Sequence, residues 1–185
     1  MTDRVTQRNI RGKYVAGHNI NIEVDPNLIR QLEALAEKLE SEMDKDVFSN
    51  QISDDLLDYG YAAHALDSNA LENKLSLAEL EDRIERAKHF KDRFRRSLEK
   101  HIHYRSAQRI YTIIMSAILH KFDVNIIPAI KSGVSGDELY AMVADLVIDP
   151  LVLSMPESAL DADHSRVWGV LFFLTGNCFI WWSKR

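Results

Sequence analysis

The residues of this chain that could bind a metal ion are histidines and aspartates, and their spacing argues against a metal site. His101 and His103 are two residues apart, and on a helix such side chains point about 200° away from each other. Zinc ligands on a helix sit three or four residues apart instead. Asp161, Asp163 and His164 would need further ligands from elsewhere in the chain. We expect no metal site, and we interpret these aspartates as polar loop and helix-start residues.

The sequence likewise gives little support for nucleophilic catalysis or for nucleotide binding. No base in the sequence around Cys178 marks it as a nucleophile, so we expect a small buried hydrophobic residue there. Residues 12–19, GKYVAGHN, have the glycine spacing of a phosphate-binding loop, but His18 and Asn19 stand where lysine and serine or threonine are required. The sequence predicts no catalytic residues and no cofactor. A hydrolase whose residues cannot be named remains the enzymatic alternative.

Length and composition fit one globular domain, with 185 residues, 46% hydrophobic and 28% charged. The net charge of −5 gives no general attraction to nucleic acid or to acidic membranes. Cys178 is the only cysteine, which excludes an internal disulfide, and the N-terminal residues lack the apolar region of a secretory signal. We therefore expect a cytoplasmic protein.

The charge is unevenly distributed along the chain. Residues 83–109 contain ten Lys or Arg and three Asp or Glu, a local charge of +7 that leaves −12 on the remainder. Basic side chains recur there at spacings of three and four, which places them on one helical face. This basic face consists of Arg86, His89, Arg93, Arg96, Lys100 and His103. It is either a solvated outer surface or a docking surface for an acidic protein or a nucleic-acid backbone.

The elements that would position these residues are mainly helical. Asp25 as N-cap and Pro26 in the first turn predict a helix start, and leucines follow at spacings of four, three and four residues. A looser helix is predicted over residues 52–66, weakened by Gly60. The leucine stripe of the first helix is formed by Leu28, Leu32, Leu35 and Leu39.

Three further helices are predicted downstream. Residues 76–79 and 135–138 have the pattern of capping boxes, and the first would open the long helix that carries the basic face. Residues 104–121 are apolar on nearly every side, which is typical of the central helix of a bundle. Pro150 is expected to end or kink the last of these helices.

The segment from Trp168 to Trp182 reads almost like a membrane anchor. A spanning helix needs about 20 apolar residues, and this stretch of fifteen is interrupted at Thr175, Gly176 and Asn177. We expect a buried helix over residues 166–174, a turn at Gly176 and Asn177, and a strand that pairs with residues 19–24, where apolar and polar residues alternate.

Three tryptophans occur within this stretch, at positions 168, 181 and 182. Adjacent side chains of an extended segment face opposite sides, so Trp181 and Trp182 are both buried only if the segment is covered on both faces. The alternative is that one ring is exposed and anchors a partner. The candidate partner-binding residues are therefore Trp168, Trp181, Trp182, Arg86, Arg93, Arg96 and Lys100.

A resemblance to a known family lies in three segments. The closing signature of the C-terminal domains of prokaryotic ABC-three component systems resembles residues 165–182, SRVWGVLFFLTGNCFIWW, with LTGNC as the most specific part. The segment preceding that signature is similar to residues 122–152, FDVNIIPAIKSGVSGDELYAMVADLVIDPLV, which contain an isoleucine-proline turn followed by a helix ending near a proline. Residues 11–22, RGKYVAGHNINI, resemble glycine/asparagine segments that often precede such domains.

The resemblance implies a component of an anti-phage conflict system with three parts. Such domains are usually fused to an effector, often a nuclease or protease, and they couple it through a small middle component to an SMC-like ABC ATPase. We find no effector domain before the predicted helices, so the resemblance implies a stand-alone coupling module whose chemistry is supplied by a separate chain.

These patterns predict a mainly α-helical bundle with a small β-element formed by residues 19–24 and 178–182. Residues 1–24 would form an N-terminal arm with a short strand, and residues 25–185 a single helical domain. The predicted function is a non-enzymatic protein–protein coupling module that binds an ABC ATPase, a middle component or an effector chain, with no membrane contact. The alternative is a nucleic-acid-binding regulator that uses the basic helix within residues 83–109. A homo-oligomer is compatible with either function.

Overall fold

The structure is a computed structural model that describes residues 25–60, 69–156, 160 and 163–184. Over these residues the chain is mainly helical, and α-helices are joined by short turns, by one 3₁₀ turn at Glu81–Arg83 and by π-turns at Phe122–Ile126 and Ala144–Ile148. The α-helices are α1 (Pro26–Asp44), α2 (Asp54–Asp58), α3 (Ala70–Ser76), α4 (Ile84–His101), α5 (Arg105–Lys121), α6 (Ile127–Ser132), α7 (Gly136–Val143), α8 (Asp149–Ser154) and α9 (His164–Gly176).

The first helix begins where the sequence predicts it. The Asp25 carboxylate accepts a hydrogen bond from the Asn27 N–H at 2.8 Å, and Pro26 lies in the first turn. The apolar stripe buries Leu32 and Leu39, and α1 packs against α5. Within the second predicted helix, 52–66, the structure has α2 ending at Asp58, and residues 61–66 of that range lie outside the described residues.

The prediction that a capping box at residues 76–79 opens a helix is wrong. Ser76 ends α3, and the chain turns through Glu79 with a positive φ of 62° before α4 begins at Ile84. The Leu80 N–H donates to the Leu75 carbonyl at 3.0 Å, which closes a helix C-terminus of the Schellman type. Because this turn buries Leu75 and Leu80 completely, hydrophobic contacts decide against the local capping pattern.

The capping box predicted at residues 135–138 does mark the start of a helix, α7, but it does not form the capping hydrogen bond. Ser135 is the N-cap residue of α7, but its hydroxyl donates to the Glu79 carboxylate at 2.8 Å and makes no cap hydrogen bond. The box therefore ties the turn before α4 to the start of α7.

Both prolines inside the helical region follow a π-turn. Pro128 lies just after Phe122–Ile126, and Pro150 lies just after Ala144–Ile148. Proline lacks an N–H and clashes with the carbonyl four residues earlier, so the wider turn accommodates it within a continuous helical path. Pro150 thus interrupts the regular α-helix, as predicted, without stopping the chain from continuing as α8.

The helical stretch Arg105–Ser132 is the one described helix that is long and apolar enough to cross a membrane by length and composition. A core helix meets the same criteria, and Ile110, Met115 and Ile118 are completely buried inside the bundle. The face formed by these residues agrees with the predicted central helix.

The predicted β-element is not found, because residues 178–182 form no strand among the described residues. After α9 the Phe179 N–H donates to the Leu174 carbonyl at 3.0 Å, and Cys178 adopts a positive φ of 67°, so the tail folds back onto the helix. Ile180 and Trp182 are thereby buried in the bundle instead of alternating across a sheet. The partner strand predicted at residues 19–24 lies outside the described residues.

The turn after α9 also corrects the expectations for two residues. The turn predicted at Gly176 and Asn177 lies one residue later, because Gly176 is the last residue of α9 and Cys178 takes the left-handed conformation. Asn177 is the C-cap and donates its side-chain amide to the Tyr59 carbonyl at 3.2 Å. Cys178 is exposed, so its interpretation as a buried hydrophobic residue is wrong.

Among the described helices, α4 and α9 share the most extensive contact. A Cβ atom added at Gly169 would lie 2.5 Å from the Phe90 carbonyl oxygen and 2.8 Å from the Phe94 Cβ, so glycine lets the two helices approach each other. This contact fixes the orientation of α4, which carries the basic face.

Candidate functional site

The helix α4 has one face in the core and the basic face outside it. Ala87, Phe94 and Leu98 are buried toward α9. Arg93 is half-buried, and the other members of the basic face are exposed: Arg86, His89, Arg96, Lys100 and His103. The predicted helical periodicity is therefore confirmed from Arg86 to Lys100, whereas His103 lies in the turn after α4.

Two cations of α4 outside the basic face, Lys88 and Arg95, are paired with carboxylates within the protein. Lys88 Nζ lies 3.1 Å from carboxylate oxygens of both Glu72 and Glu85, and these hydrogen bonds, that of Glu72 first, raise the pKa of Lys88. Arg95 Nε lies 2.9 Å from Glu99 Oε1, one turn along the helix. Lys91, between them on the same side of α4, has no such pair in the described part of the chain and lies beside Gly176 at the end of α9.

Three cations of the basic face are not neutralised in this way. Arg86, Arg96 and Lys100 form neither an ion pair nor a hydrogen bond with any residue in the part of the chain that the structure describes. Their charges therefore project into solvent, whereas Lys88, Arg93 and Arg95 on the same helix have carboxylate partners.

Arg93 differs from these three residues because it binds the start of α9. Its guanidinium contacts the Ser165 hydroxyl and lies 3.2 Å from Asp163 Oδ2. Burial acts to raise the pKa of Asp163, but hydrogen bonds from Ser165 and the Arg166 N–H lower it. The charge of Arg93 lowers that pKa further, so it lies below its ordinary value. The structure thus uses Arg93 to hold α9 against α4.

Asp163 confirms the interpretation of this region as a helix start. Its carboxylate accepts from the Arg166 N–H at 2.9 Å as the N-cap of α9, while Asp161 lies outside the described residues. His101 is buried and its Nδ1 lies 2.8 Å from the Ser97 carbonyl, whereas His103 is exposed in the turn that follows α4. No group of three metal-binding side chains occurs within the described ranges.

Trp168 and Trp182 lie in an aromatic stack that runs through the core. Trp168 stacks on Tyr140 at a centroid distance of 4.4 Å and on Phe172 at 5.4 Å. Phe172 in turn stacks on Trp182, whose indole Nε1 donates to the Thr175 hydroxyl at 3.1 Å. Trp168 and Trp182 are 7% and 1% exposed, so both rings stabilise the bundle.

Trp181 is half-buried and covers the buried Lys74. The Lys74 Nζ lies 4.5 Å from the centre of the Trp181 ring and donates to the Thr175 carbonyl at 2.5 Å. Lys74 of α3 thereby links Trp181 in the tail to the C-terminal turn of α9. A partner-binding role for the three tryptophans stays a prediction, and their positions favour a structural role.

Sequence reasoning missed the outer end of the aromatic stack. The Arg83 guanidinium lies 5.1 Å from the centre of the Tyr140 ring and 2.9 Å from Asp137, and it precedes the first turn of α4. Burial raises the pKa of Tyr140, although the nearby charge of Arg83 acts against it. No local pattern could reveal this contact, since Arg83 and Tyr140 come from separate helical segments.

The comparison with known families decides the identity of the domain. The family described as C-terminal domain 9 of the ABC-three component (ABC-3C) systems matches residues 70–182, which is more than half of the chain. The chain belongs to this family. The family domain includes α3 to α9, and therefore the basic face and the tryptophan-rich tail, whereas α1 and α2 precede it. No curated protein and no solved structure matches the chain.

Proposed function

We propose that this ABC-three component domain is a non-enzymatic coupling module in the cytoplasm of a prokaryotic cell. It would link an effector chain to an SMC-like ABC ATPase or to the middle component of an anti-phage system. Family membership supports this proposal, because a component of a multi-protein system has protein partners.

The observation that carries the proposal is the set of unneutralised cations on α4. Arg86, Arg96 and Lys100 are exposed without carboxylate neighbours, while Lys88 and Arg95 on the same helix have them. Charges that are complementary across an interface raise the association rate and exclude wrong partners. A partner with acidic residues at matching positions would complete the pairs that the chain leaves open.

The position of these cations on the helix also suits recognition. From Arg86 to Lys100 the helix rises about 21 Å, which is within the span of a standard protein interface. The close contact of α4 with α9 at Gly169 holds the helix in place. A fixed helix backbone loses little conformational entropy on binding, so the ordering cost is confined to the exposed side chains.

A nucleic-acid-binding regulator is the alternative that the same cations favour. The charge of −12 outside residues 83–109 would repel a phosphate backbone and an acidic protein alike, so membership of a multi-component family is what favours the protein partner. The two functions differ in measurable ways. Binding to nucleic acid would occur without any protein partner and would weaken steeply as salt is raised.

Co-purification with the products of the neighbouring genes tests the proposal. We would compare the wild-type chain with a basic-face variant, Arg86→Gln with Arg96→Gln, and with a control variant, Lys88→Gln with Arg95→Gln, which removes the same charge. We expect the ATPase, the middle component or the effector to be retained by the wild type and the control and lost from the basic-face variant.

Two outcomes would contradict the proposal. One is a chain that retains none of these gene products, and the other is equal retention by all three proteins. Titration of fluorescently labelled DNA and RNA at increasing salt provides the test of the alternative.

A further inference from the structure

A pocket outside the basic face lies between α1, α2 and the first turns of α5. Its volume is about 290 Å³. Lys38, Arg105 and Arg109 line it together with the hydroxyl residues Ser53, Ser106 and Thr112, and Asp55 is the carboxylate in the lining. The pocket therefore has more positive than negative charge in a chain whose net charge is negative.

The three cations are free to bind a ligand. Within the described ranges, Lys38, Arg105 and Arg109 make no ion pair and no hydrogen bond, and Asp55 is not paired with any of them. Arg105 and Arg109 are four residues apart on α5, with Thr112 three residues further, so the three side chains share one face of the helix. Lys38 faces them from α1.

The pocket wall is held by a buried glutamine. Gln108 is 2% exposed, and its side-chain oxygen accepts from the Ser53 N–H at 2.8 Å. Its amide nitrogen donates to the carbonyls of Gln51 at 3.0 Å and Ile102 at 2.7 Å. These bonds fix the segment before α2 to α5, so the pocket does not depend on a loop closing around its ligand.

The start of α5 already has its own carboxylate. Glu42 accepts from the Ser106 N–H at 3.0 Å and from the Ser106 hydroxyl at 2.8 Å. Its charge compensates the helix N-terminus on the side of α1. The side chains of Lys38, Arg105 and Arg109, and not the amides of the helix, are therefore what the pocket offers to an anion.

We propose that this pocket binds a phosphate group, either as the free ion or as the terminal phosphate of a small molecule. Arginine binds phosphate through paired, charge-assisted hydrogen bonds, and lysine adds contacts to the same oxygens. The hydroxyls of Ser106 and Thr112 donate to Glu42 and to the Gln108 carbonyl, so the three cations are the groups that would hold the phosphate. The volume is near the lower end for small-molecule sites, which suits a phosphate group better than a large ligand bound in full. Lys38 and Ser53 precede the region matched by the family, so the site belongs to this chain and not to the family domain alone.

Isothermal titration calorimetry with inorganic phosphate, at ionic strength held constant with sodium chloride, tests the site. We expect saturable binding of one phosphate per chain. Replacement of Arg105 and Arg109 by glutamine would weaken it at least tenfold, and Lys38→Gln would weaken it independently. The matched control is Arg86→Gln with Arg96→Gln, which removes the same charge from the basic face and should bind phosphate as the wild type does.

A second titration with adenosine triphosphate distinguishes the sources of the phosphate. Tighter binding of the nucleotide with the same dependence on Arg105 and Arg109 identifies a phosphorylated small molecule, and equal or weaker binding identifies the free ion. The proposal is overturned if no saturable binding occurs, or if the pocket and basic-face variants bind phosphate equally. Circular dichroism of each variant establishes that the fold is intact, which the exposure of the substituted side chains leads us to expect.

Discussion

The substitution Gly169→Ala tests how closely α4 and α9 must approach. The added methyl group would lie 2.5 Å from the Phe90 carbonyl oxygen and 2.8 Å from the Phe94 Cβ, distances that neither a backbone atom nor a Cβ can relieve without moving a helix. Overpacking of this kind costs about 1–3 kcal/mol, and the contact with backbone places this site at the upper end. The better helix propensity of alanine returns about 1 kcal/mol. We expect a net loss of about 2 kcal/mol.

Gly176→Ala in the same helix is the matched control. Its Cβ would lie 3.6 Å from Cδ of Lys91, the flexible part of a long side chain, so alanine should be neutral or slightly stabilising. Thermal unfolding followed by circular dichroism measures both variants. For a chain of this size, Gly169→Ala should lower the melting temperature by about 4–8 °C relative to the wild type. Equal stability of the two variants would refute the close approach of α4 and α9.

Three other substitutions address buried polar groups and pH dependence. Thr175→Val removes the acceptor of the Trp182 indole and should cost about 1–3 kcal/mol in thermal unfolding, more than Thr112→Val, whose hydroxyl serves only a carbonyl of its own helix. Because the pKa of Asp163 is lowered in the folded state, its carboxylate stabilises the fold above the unfolded pKa. Asp163→Asn should therefore be destabilising at pH 7, with a difference from wild type that shrinks as pH falls below about 4. Burial, and then the charge of Asp149, raise the pKa of Asp145. Asp145→Asn should have the opposite sign, stabilising at pH 7 with a gain that fades in acid; unfolding curves from pH 2 to 7 that do not separate these two variants would contradict both expectations.

Predictions that rest on local signals were the more successful. The Asp25 cap and the leucine stripe of α1, and the apolar pattern of α5, depend on neighbouring residues that the sequence displays directly. The capping box at residues 76–79 and the strand at 178–182 were also predicted from local patterns, but both predictions were wrong. Burial of Leu80 and Trp182 by distant elements outweighed the local pattern, and a single sequence does not show those contacts.

The candidate site was also predictable only where it depends on local spacing. Helical spacing alone revealed the basic face, but not that Arg93 is held by Asp163, seventy positions later in the chain. Likewise, Lys38 and Arg109 meet in one pocket only because α1 packs against α5. Side chains that are brought together by packing carry no common motif, so neither contact could be predicted.

The central claim is that the basic face of α4 binds an acidic protein partner of the ABC-three component system. Surface plasmon resonance with the purified ATPase, middle component and effector measures it most directly. Reversal of Arg86, Arg96 and Lys100 to glutamate should lower the affinity for one of them at least tenfold, mainly through slower association, and reduce its dependence on salt. Unchanged affinity and salt dependence, in a variant that melts at the wild-type temperature, would contradict the account.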